Sequence, residues 1–330
     1  MNGLNRLKGG LFGTIILATA GTAHGQAMKE VSIALGSVGF GTAPVRIAKE
    51  MGLYEKHGLN AKIITMESSN ASMTALLSRS VEIALSGSGE IIAAQGRGQK
   101  VVVIANTYSG LSGSLVLSKA AADKLGVSPN APVAERLKAL NGLVIASTTA
   151  TSVYTVAIKG ATTAVGAAPR LTFMSPPTMA GALESGAIQG YIAGAPSWAP
   201  PVVKGSGVVW ISGPKGELAA ENSPVSSASL QALREVAEAN PELMKRLSTV
   251  NDDLAKAIDE RPAAVKAAIA RAYPDLDATT LDLLFASESA SWKTRPLTVD
   301  DMKHEIAFMK SSGMALPMID SADPASMLFQ

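Results

Sequence analysis

The 330-residue chain is long enough to form two domains with sizeable hydrophobic cores. It has 29 Lys and Arg residues against 27 Asp and Glu, and only 4% of its residues are aromatic, which excludes a basic, aromatic-rich nucleic-acid binder. Because it has no cysteine, neither a disulfide framework nor a lipid-modified N-terminal cysteine is possible.

The first 27 residues have the three parts of a secretory signal peptide. Arg6 and Lys8 form the positive region, an apolar run follows at residues 11–20, and small residues up to Ala27 suit cleavage. The apolar run is much shorter than the roughly 20 residues that a membrane-spanning helix needs. We therefore predict a cleavable signal peptide over residues 1–27 and a protein of a bacterial periplasm. Without Arg6 and Lys8 the chain has 27 basic and 27 acidic residues, so its charge does not favour an anionic membrane surface either.

The next part of the chain alternates short apolar runs with helical segments. Strands are predicted at residues 31–35, 61–66, 81–85 and 101–105. After the first strand comes a glycine-rich loop without charge at residues 36–42, and Pro44 then suits the first turn of a helix. The βαβαβαβ order predicts parallel strands joined by right-handed crossovers, with helices on the faces of the sheet.

A second run of the same kind follows. Further strands are predicted at residues 114–117, 143–146, 171–174 and 187–193. The segments 75–86 and 182–193 share the order helix end, turn, strand, which indicates two related α/β lobes. We expect the strand at 208–211 to return the chain to the first sheet, and the remainder to be helical. The predicted division is residues 28–109 for the first part of lobe 1, 110–207 for lobe 2, and 208–330 for the return to lobe 1 and the C-terminal helices.

Small and hydroxyl-bearing residues follow the predicted strands in both lobes. Ligands of parallel sheets lie beyond the carboxyl ends of the strands, where helix N-termini also attract anions. The candidate ligand-binding residues are Ser37, Val38, Gly39, Phe40, Ser68, Ser69, Asn70, Ser86, Gly87 and Ser88 in lobe 1, and Thr148, Thr149, Thr151, Ser152, Pro177, Thr178, Pro196 and Trp198 in lobe 2. Phe40 and Trp198 are candidate apolar walls. The alternative for each Ser or Thr is ordinary helix capping, and for Trp198 it is core packing.

One stretch resembles a known protein family. The residues Ile47-Ala48 and Glu50-Met-Gly-Leu-Tyr-Glu-Lys-His-Gly58 are similar to the first-helix signature of solute-binding proteins of ABC importers, in the nitrate, sulfonate and taurine branch. Residues 140–147 resemble the segment that opens the second lobe of that family. The resemblance implies a two-lobed, periplasmic-binding-protein-like (type II) α/β fold, each lobe a mainly parallel sheet flanked by helices. It also implies a hinge between the lobes and delivery of the ligand to a membrane permease.

The chain departs from the family pattern at Asn141, where Lys is common, and at Gln189, where Asp is common. Both departures are interpreted as surface changes. The enzymatic pyrimidine-synthesis branch of the same fold depends on a cysteine-rich segment, which this chain lacks. We therefore expect a monomeric binding protein without catalytic residues, metal or cofactor, and with a small organic anion, a sulfonate or a carboxylate, as its ligand. A neutral aromatic or pyrimidine ligand, or an exported enzyme of the same fold, is the alternative.

The first glycine-rich loop also invites interpretation as part of a dehydrogenase. Gly39 and Gly41 imitate a dinucleotide-binding fingerprint, but Pro44 stands where the third glycine belongs. Glu67 lies 28 positions after Gly39, beyond the ~20 that separate the ribose-binding acid from this motif. An exported protein would rarely meet NAD, and this interpretation is not favoured.

Few residues could carry catalysis. Only His57 and His304 remain outside the predicted signal peptide, which leaves little for a Ser-His-Asp triad or a histidine-rich metal site. Arg46 lies one helical turn past the loop 36–42. Its charge is expected either to face the ligand or to form a surface or interlobe salt bridge.

Overall fold

The computed structural model describes residues 28–150, 152–311 and 318–329. The predicted signal peptide lies outside these residues. None of the helices in the described ranges combines the length and the apolar content needed to cross a membrane.

The described residues form ten strands, which we number in chain order. They are β1 (Lys29–Leu35), β2 (Leu59–Thr65), β3 (Ile83–Ser86), β4 (Val101–Ser109), β5 (Gly113–Ser118), β6 (Val144–Ser147), β7 (Arg170–Phe173), β8 (Gly190–Gly194), β9 (Gly207–Ser212) and β10 (Ser226–Leu233). Two five-stranded sheets result, with the orders β2-β1-β3-β10-β4 and β7-β6-β8-β5-β9. We call the first sheet with its helices lobe 1 and the second sheet with its helices lobe 2.

Fourteen α-helices flank the sheets within the described ranges. They are α1 (Ala43–Glu50), α2 (Leu53–Lys56), α3 (Ser69–Leu77), α4 (Ser88–Gly96), α5 (Lys119–Leu125), α6 (Val133–Lys138), α7 (Val153–Ala164), α8 (Pro176–Glu184), α9 (Ala199–Val203), α10 (Arg234–Ala239), α11 (Pro241–Glu260), α12 (Pro262–Ala272), α13 (Ala278–Glu288) and α14 (Val299–Ser311). The predicted fold class, two α/β lobes with helices around each sheet, is confirmed.

The parallel part of each sheet follows from the buried apolar runs seen in the sequence. In lobe 1, β1 pairs in parallel with β2 and with β3, and Ile33 and Leu35 of β1 are fully buried. In lobe 2, β6 pairs in parallel with β7 and β8, and Ile145 is fully buried. Apolar side chains on both faces of these strands are typical of sheets that helices cover on both sides.

The prediction that residues 208–211 return the chain to lobe 1 is wrong. These residues belong to β9, which pairs antiparallel with β5 at the edge of the lobe 2 sheet. The fully buried Trp210 packs among lobe 2 residues, and its indole N–H donates to the Arg136 carbonyl oxygen at 2.8 Å. An apolar strand of this kind suits either sheet, so the pattern of the sequence could not assign it to one of them.

The strand that does return to lobe 1 is β10, in a region for which the sequence predicted only helices. It lies between β3 and β4 and runs antiparallel to both. Its residues are mostly small or polar, yet Ser226, Ser229 and Gln231 are buried. Gln231 can be buried because its side chain is hydrogen-bonded. Its Oε1 accepts a hydrogen bond from Ser86 Oγ at 2.8 Å, and its amide donates to the Ser86 carbonyl oxygen at 3.2 Å.

The helices α11 and α12 pack on the outside of lobe 1, whereas α13 also contacts α9 of lobe 2. The helix α11 presents one apolar stripe, including the buried Leu243, Leu247 and Leu254, to α1 and β4. A capping box forms at the start of α14. The Asp301 side chain accepts from the Thr298 backbone N–H at 2.8 Å, and Thr298 Oγ1 accepts from the Asp301 N–H at 3.2 Å.

Candidate functional site

The carboxyl ends of three parallel strands form one edge of lobe 1. Leu35 at the end of β1 stands opposite Thr65 of β2 and Leu85 of β3, so the three following loops begin side by side. The structure therefore brings together at this edge the lobe 1 candidates Ser37, Val38, Gly39, Phe40, Ser68, Ser69, Asn70, Ser86, Gly87 and Ser88. This is the position at which ligands of parallel sheets bind.

Two of these loops are in direct contact at Gly36. A Cβ atom on Gly36 would lie 2.5 Å from the Cα and 2.7 Å from the backbone nitrogen of Ser69. Because both atoms belong to the main chain, neither can move aside without displacing the start of α3. The glycine therefore holds the loop after β1 against the N-terminus of α3.

Replacing Gly36 by Ala should lower the free energy of unfolding by roughly 1–3 kcal/mol, the usual effect of overpacking. Urea unfolding followed by circular dichroism measures this change. Gly181→Ala is the matched control, because a Cβ at Gly181 meets no atom within 4 Å and the residue lies in a helix. Equal stability of the Gly36 variant and the native protein would contradict the contact.

The corresponding edge of lobe 2 is built in the same way. Ser147 at the end of β6 stands opposite Phe173 of β7, and Ala146 stands opposite Tyr191 of β8. The loops after these strands carry the lobe 2 candidates Thr148, Thr149, Ser152, Pro177, Thr178, Pro196 and Trp198. Thr151 lies outside the described residues.

The two edges touch. The backbone N–H of Phe40 donates to the Ala195 carbonyl oxygen at 3.0 Å, which joins the loop after β1 to the loop after β8. A Cβ on Gly39 would lie only 3.3 Å from the same oxygen. The loops of lobe 1 and lobe 2 therefore approach each other here, and we call the space between the two edges the cleft.

Several candidate hydroxyls in lobe 1 have structural partners. Ser68 Oγ accepts from the Ala71 N–H at 3.1 Å and caps α3. Ser88 is buried, and its hydroxyl donates to the Ser226 carbonyl oxygen at 3.1 Å. Ser86, also buried, donates to Gln231. The capping and packing alternatives therefore describe these three residues, whereas Ser37, Val38 and Asn70 are exposed.

The lobe 2 candidates also divide into a residue that caps a helix and residues with exposed side chains. Ser152 Oγ accepts from the Thr155 N–H at 3.2 Å and caps α7. The Thr155 hydroxyl lies 2.7 Å from both Ser147 Oγ and the Thr149 carbonyl oxygen, so the loop after β6 is held to the first turn of α7. The side chains of Thr149, Pro177 and Thr178 remain exposed.

Phe40 and Trp198, the candidate apolar walls, are both buried in this structure, with 0% and 1% of their surface exposed. The Phe40 ring centroid lies 4.8 Å from that of Tyr273 and 5.9 Å from that of Trp292. Core packing, the alternative weighed for Trp198, describes its position. The exposed apolar side chains at the cleft edges are instead Val38 in lobe 1 and Phe173 in lobe 2, at 66% and 47%.

A buried carboxyl group joins elements of both lobes. Glu288, at the end of α13, is fully buried and accepts hydrogen bonds from the Tyr108 hydroxyl of β4 and, at 3.3 Å, from the Trp198 indole N–H of lobe 2. Burial raises the pKa of Glu288 to about 7, although the two hydrogen bonds act in the opposite direction. Glu288 therefore takes up a proton near neutral pH.

A second buried carboxyl group holds one of the two connections between the lobes. Glu305 of α14 accepts from the backbone N–H groups of Val225 and Ser226, at 2.6 and 2.9 Å, where the chain re-enters lobe 1. Burial raises the pKa of Glu305 to about 7, while these two hydrogen bonds lower it.

The other connection, residues 110–112, is held by side chains that the sequence did not single out. The Tyr154 and Ser112 hydroxyls lie 3.3 Å apart, and the Tyr154 side chain fills the space beside Gly113 and Gly194, since a Cβ would lie 2.5 Å from the ring at Gly113 and 2.5 Å from the hydroxyl oxygen at Gly194. Ser112 and Tyr154 are 42 positions apart in the chain, so no local pattern could have revealed this contact.

His57 and His304 each contact a structural partner. His57 Nε2 lies 2.8 Å from Asp253 Oδ2, and His304 Nε2 lies 3.0 Å from the Ser223 carbonyl oxygen. Within the described ranges, no group of three or more His, Cys, Asp or Glu side chains could hold a metal ion.

Comparisons with known proteins agree with this architecture. The family model of the NMT1-like family matches residues 26–273. The structure is similar to the periplasmic aliphatic sulphonate binding protein SsuA of Escherichia coli, with a TM-score of 0.68 and 15% identity over 92% of each chain. None of the curated proteins matches the sequence.

Two further solved structures share the fold. SsuA of Xanthomonas axonopodis pv. citri, an alkanesulfonate-binding protein bound to MOPS, has a TM-score of 0.64 and 15% identity over 91% of this chain and 98% of that one. The periplasmic nitrate-binding protein NrtA of Synechocystis PCC 6803 has a TM-score of 0.53 and 16% identity over 74% of this chain and 66% of that one. The predicted periplasmic-binding-protein-like fold is thereby confirmed.

Proposed function

Because the chain belongs to the NMT1-like family, we propose that it is the solute-binding component of an ABC importer and that it holds a small organic anion in the cleft between its lobes. The observation that carries this proposal is the meeting of two equivalent edges. In each lobe the carboxyl ends of three parallel strands carry loops, and the hydrogen bond from the Phe40 N–H to the Ala195 carbonyl oxygen joins one loop of each set, which supports a ligand site between them.

Helix N-termini on both sides of the cleft favour a ligand with negative charge. The helices α3 and α7 begin in the loops after β2 and β6, so their first N–H groups lie at the two opposing edges. Such N-termini attract anions because they combine unpaired N–H groups with the positive end of the helix dipole. The exposed hydroxyls of Ser37 and Thr149 can add hydrogen bonds to ligand oxygens.

The ligand class follows from this chemistry together with the structural neighbours. SsuA binds sulfonates and NrtA binds nitrate, both of them oxygen-bearing anions. Val38 and Phe173 offer exposed apolar surface on opposite sides of the cleft, which suits the carbon chain or ring of an organic anion. A sulfonate or a carboxylate with an apolar group therefore fits better than an inorganic anion.

Transport requires binding and release rather than a chemical step. We expect the signal peptide to direct the chain to the periplasm, where the ligand enters the cleft. The segments 110–112 and 213–225 connect the lobes, and a change at these few residues would close one lobe onto the other around the ligand. The closed, monomeric protein would then pass the ligand to the membrane permease.

A thermal-stability screen tests the proposed ligand class. The purified protein is heated with alkanesulfonates, taurine, short carboxylates and pyrimidines in separate samples. A true ligand at 100 times its Kd adds about 2.7 kcal/mol of stability. We expect sulfonates or carboxylates to give this effect. Stabilisation by a pyrimidine alone would contradict the anion, and chemical conversion of a bound compound would contradict transport.

A further inference from the structure

Arg46 lies at the lobe 1 edge of the cleft. From the fourth position of α1 its Nη2 donates to Thr65 Oγ1 at 2.6 Å and approaches the Ser37 carbonyl oxygen at 3.4 Å. Thr65 is the last residue of β2, and Ser37 lies two positions after the end of β1. The guanidinium group is therefore held where the two neighbouring strands open into the cleft.

The charge of Arg46 has no carboxylate partner among the described residues. Its Nε is enclosed by protein atoms and has no hydrogen-bond acceptor. Six other arginines form ion pairs with Asp or Glu, namely Arg79, Arg136, Arg234, Arg246, Arg271 and Arg295. Even Glu67, an exposed acid two residues after Thr65, forms no ion pair with Arg46.

The other arginines without an ion pair within the described ranges lie away from the cleft. Arg97 follows the last residue of α4, and Arg170 begins β7, so both lie at the opposite ends of their elements from the cleft loops. Arg261 separates α11 from α12 on the outside of lobe 1. Among these four unpaired arginines, Arg46 alone stands beside the loops that open into the cleft.

The position of Arg46 near the N-terminus of α1 is electrostatically unfavourable for a cation. A cation in the first turn faces the positive end of the helix dipole, and the first turn of α1 contains no acid to offset it. An approaching anion would offset both the unpaired charge and the dipole. The arrangement is therefore better suited to a protein with bound anion than to the free protein.

From this geometry we infer that Arg46 is the residue that recognises the anionic head of the ligand. This inference rests on the proposed function and adds to it the group that provides selectivity for charge. The planar guanidinium can donate two N–H groups to two oxygens of a sulfonate or a carboxylate, and such charge-assisted bonds are stronger than bonds between neutral groups. Thr65 and the Ser37 carbonyl oxygen act as positioning groups that hold the guanidinium at the edge of the cleft.

Two ligands that share a carbon skeleton but differ in charge can show whether Arg46 recognises charge or only supports the structure. The Kd of an alkanesulfonate and that of the corresponding neutral sulfonamide are measured by isothermal titration for the native protein and for Arg46→Gln. We expect Arg46→Gln to weaken binding of the sulfonate about 10- to 100-fold, the range of one lost charge-assisted hydrogen bond. Sulfonamide binding should change little, and Arg46→Lys should restore part of the sulfonate affinity.

The affinities of the variants distinguish a recognition role of Arg46 from a structural one. Arg97→Gln, the control, should leave both affinities unchanged. If Arg46→Gln weakens the binding of sulfonate and sulfonamide equally, the residue only supports the loop. If the sulfonate affinity is unchanged, the ligand does not reach Arg46. Either result overturns the inference. A native protein that binds the sulfonamide or a pyrimidine but no sulfonate or carboxylate would overturn the proposed anionic ligand as well.

Discussion

Raising the pH from about 5 to about 8 should lower the free energy of unfolding by roughly 5 kcal/mol, because two buried carboxyl groups must give up protons inside the folded protein. Burial raises the pKa of both Glu288 and Glu305 from 4.5 to about 7. Both acids therefore hold their protons more tightly in the folded state than in the unfolded chain. Their contribution to stability is complete below pH 4.5 and is lost as the pH rises through 7.

Urea unfolding at half-unit steps of pH measures this loss. Glu288→Gln should remove about half of the slope, because Gln stays neutral while its amide oxygen can still accept the hydrogen bond from Trp198. The exposed Glu260→Gln is the control and should leave the slope unchanged. A native protein whose stability is flat, or rises, between pH 5 and 8 would contradict the assignment of two protonated buried acids.

Replacing Thr149 by Trp should weaken ligand binding at least about 100-fold while leaving the fold intact, since a blocked cleft forfeits the contacts of a whole lobe. The Thr149 side chain is exposed at the lobe 2 edge, whereas its carbonyl oxygen holds the first turn of α7. We therefore expect the larger side chain to occupy space at this edge without disturbing the packed interior. Isothermal titration with the best ligand from the thermal screen measures the effect.

The control for this substitution is Thr163→Trp. Thr163 is also exposed and belongs to lobe 2, but it lies near the opposite end of α7 from the cleft. Its replacement should leave the affinity unchanged. Native-like affinity in the Thr149 variant, with the circular dichroism spectra of both variants unaltered, would place the ligand elsewhere than between the two edges.

The sequence predicted most of the parallel strands because each is a short apolar run that reaches both faces of a buried sheet. β1, β3 and β6 are examples, and their predicted limits differ from the observed ones by at most two residues. The sequence pattern did not predict β10, because buried serines and Gln231 occupy positions where strands usually have β-branched residues. The assignment of β9 failed because pairing between distant strands is decided in three dimensions and leaves no local pattern.

The arrangement of the candidate loops was predictable, but their detailed contacts were not. The rule that ligands bind beyond the carboxyl ends of parallel strands placed the loops at the two edges. It could not show which hydroxyls are occupied by capping, as for Ser68 and Ser152, and which remain exposed, as for Thr149. The group formed by Tyr108, Trp198 and Glu288 joins residues up to 180 positions apart, and only the folded chain reveals it.

Native mass spectrometry tests the central proposal most directly, because it weighs the protein together with whatever it has bound. The protein is mixed with an alkanesulfonate, transferred to the gas phase under gentle conditions, and then activated to release the bound compound. We expect one intact sulfonate per protein chain, a complex that Arg46→Gln and Thr149→Trp both weaken, and a released compound of unchanged mass. Absence of the complex at millimolar sulfonate, or release of an altered compound, would contradict the proposal.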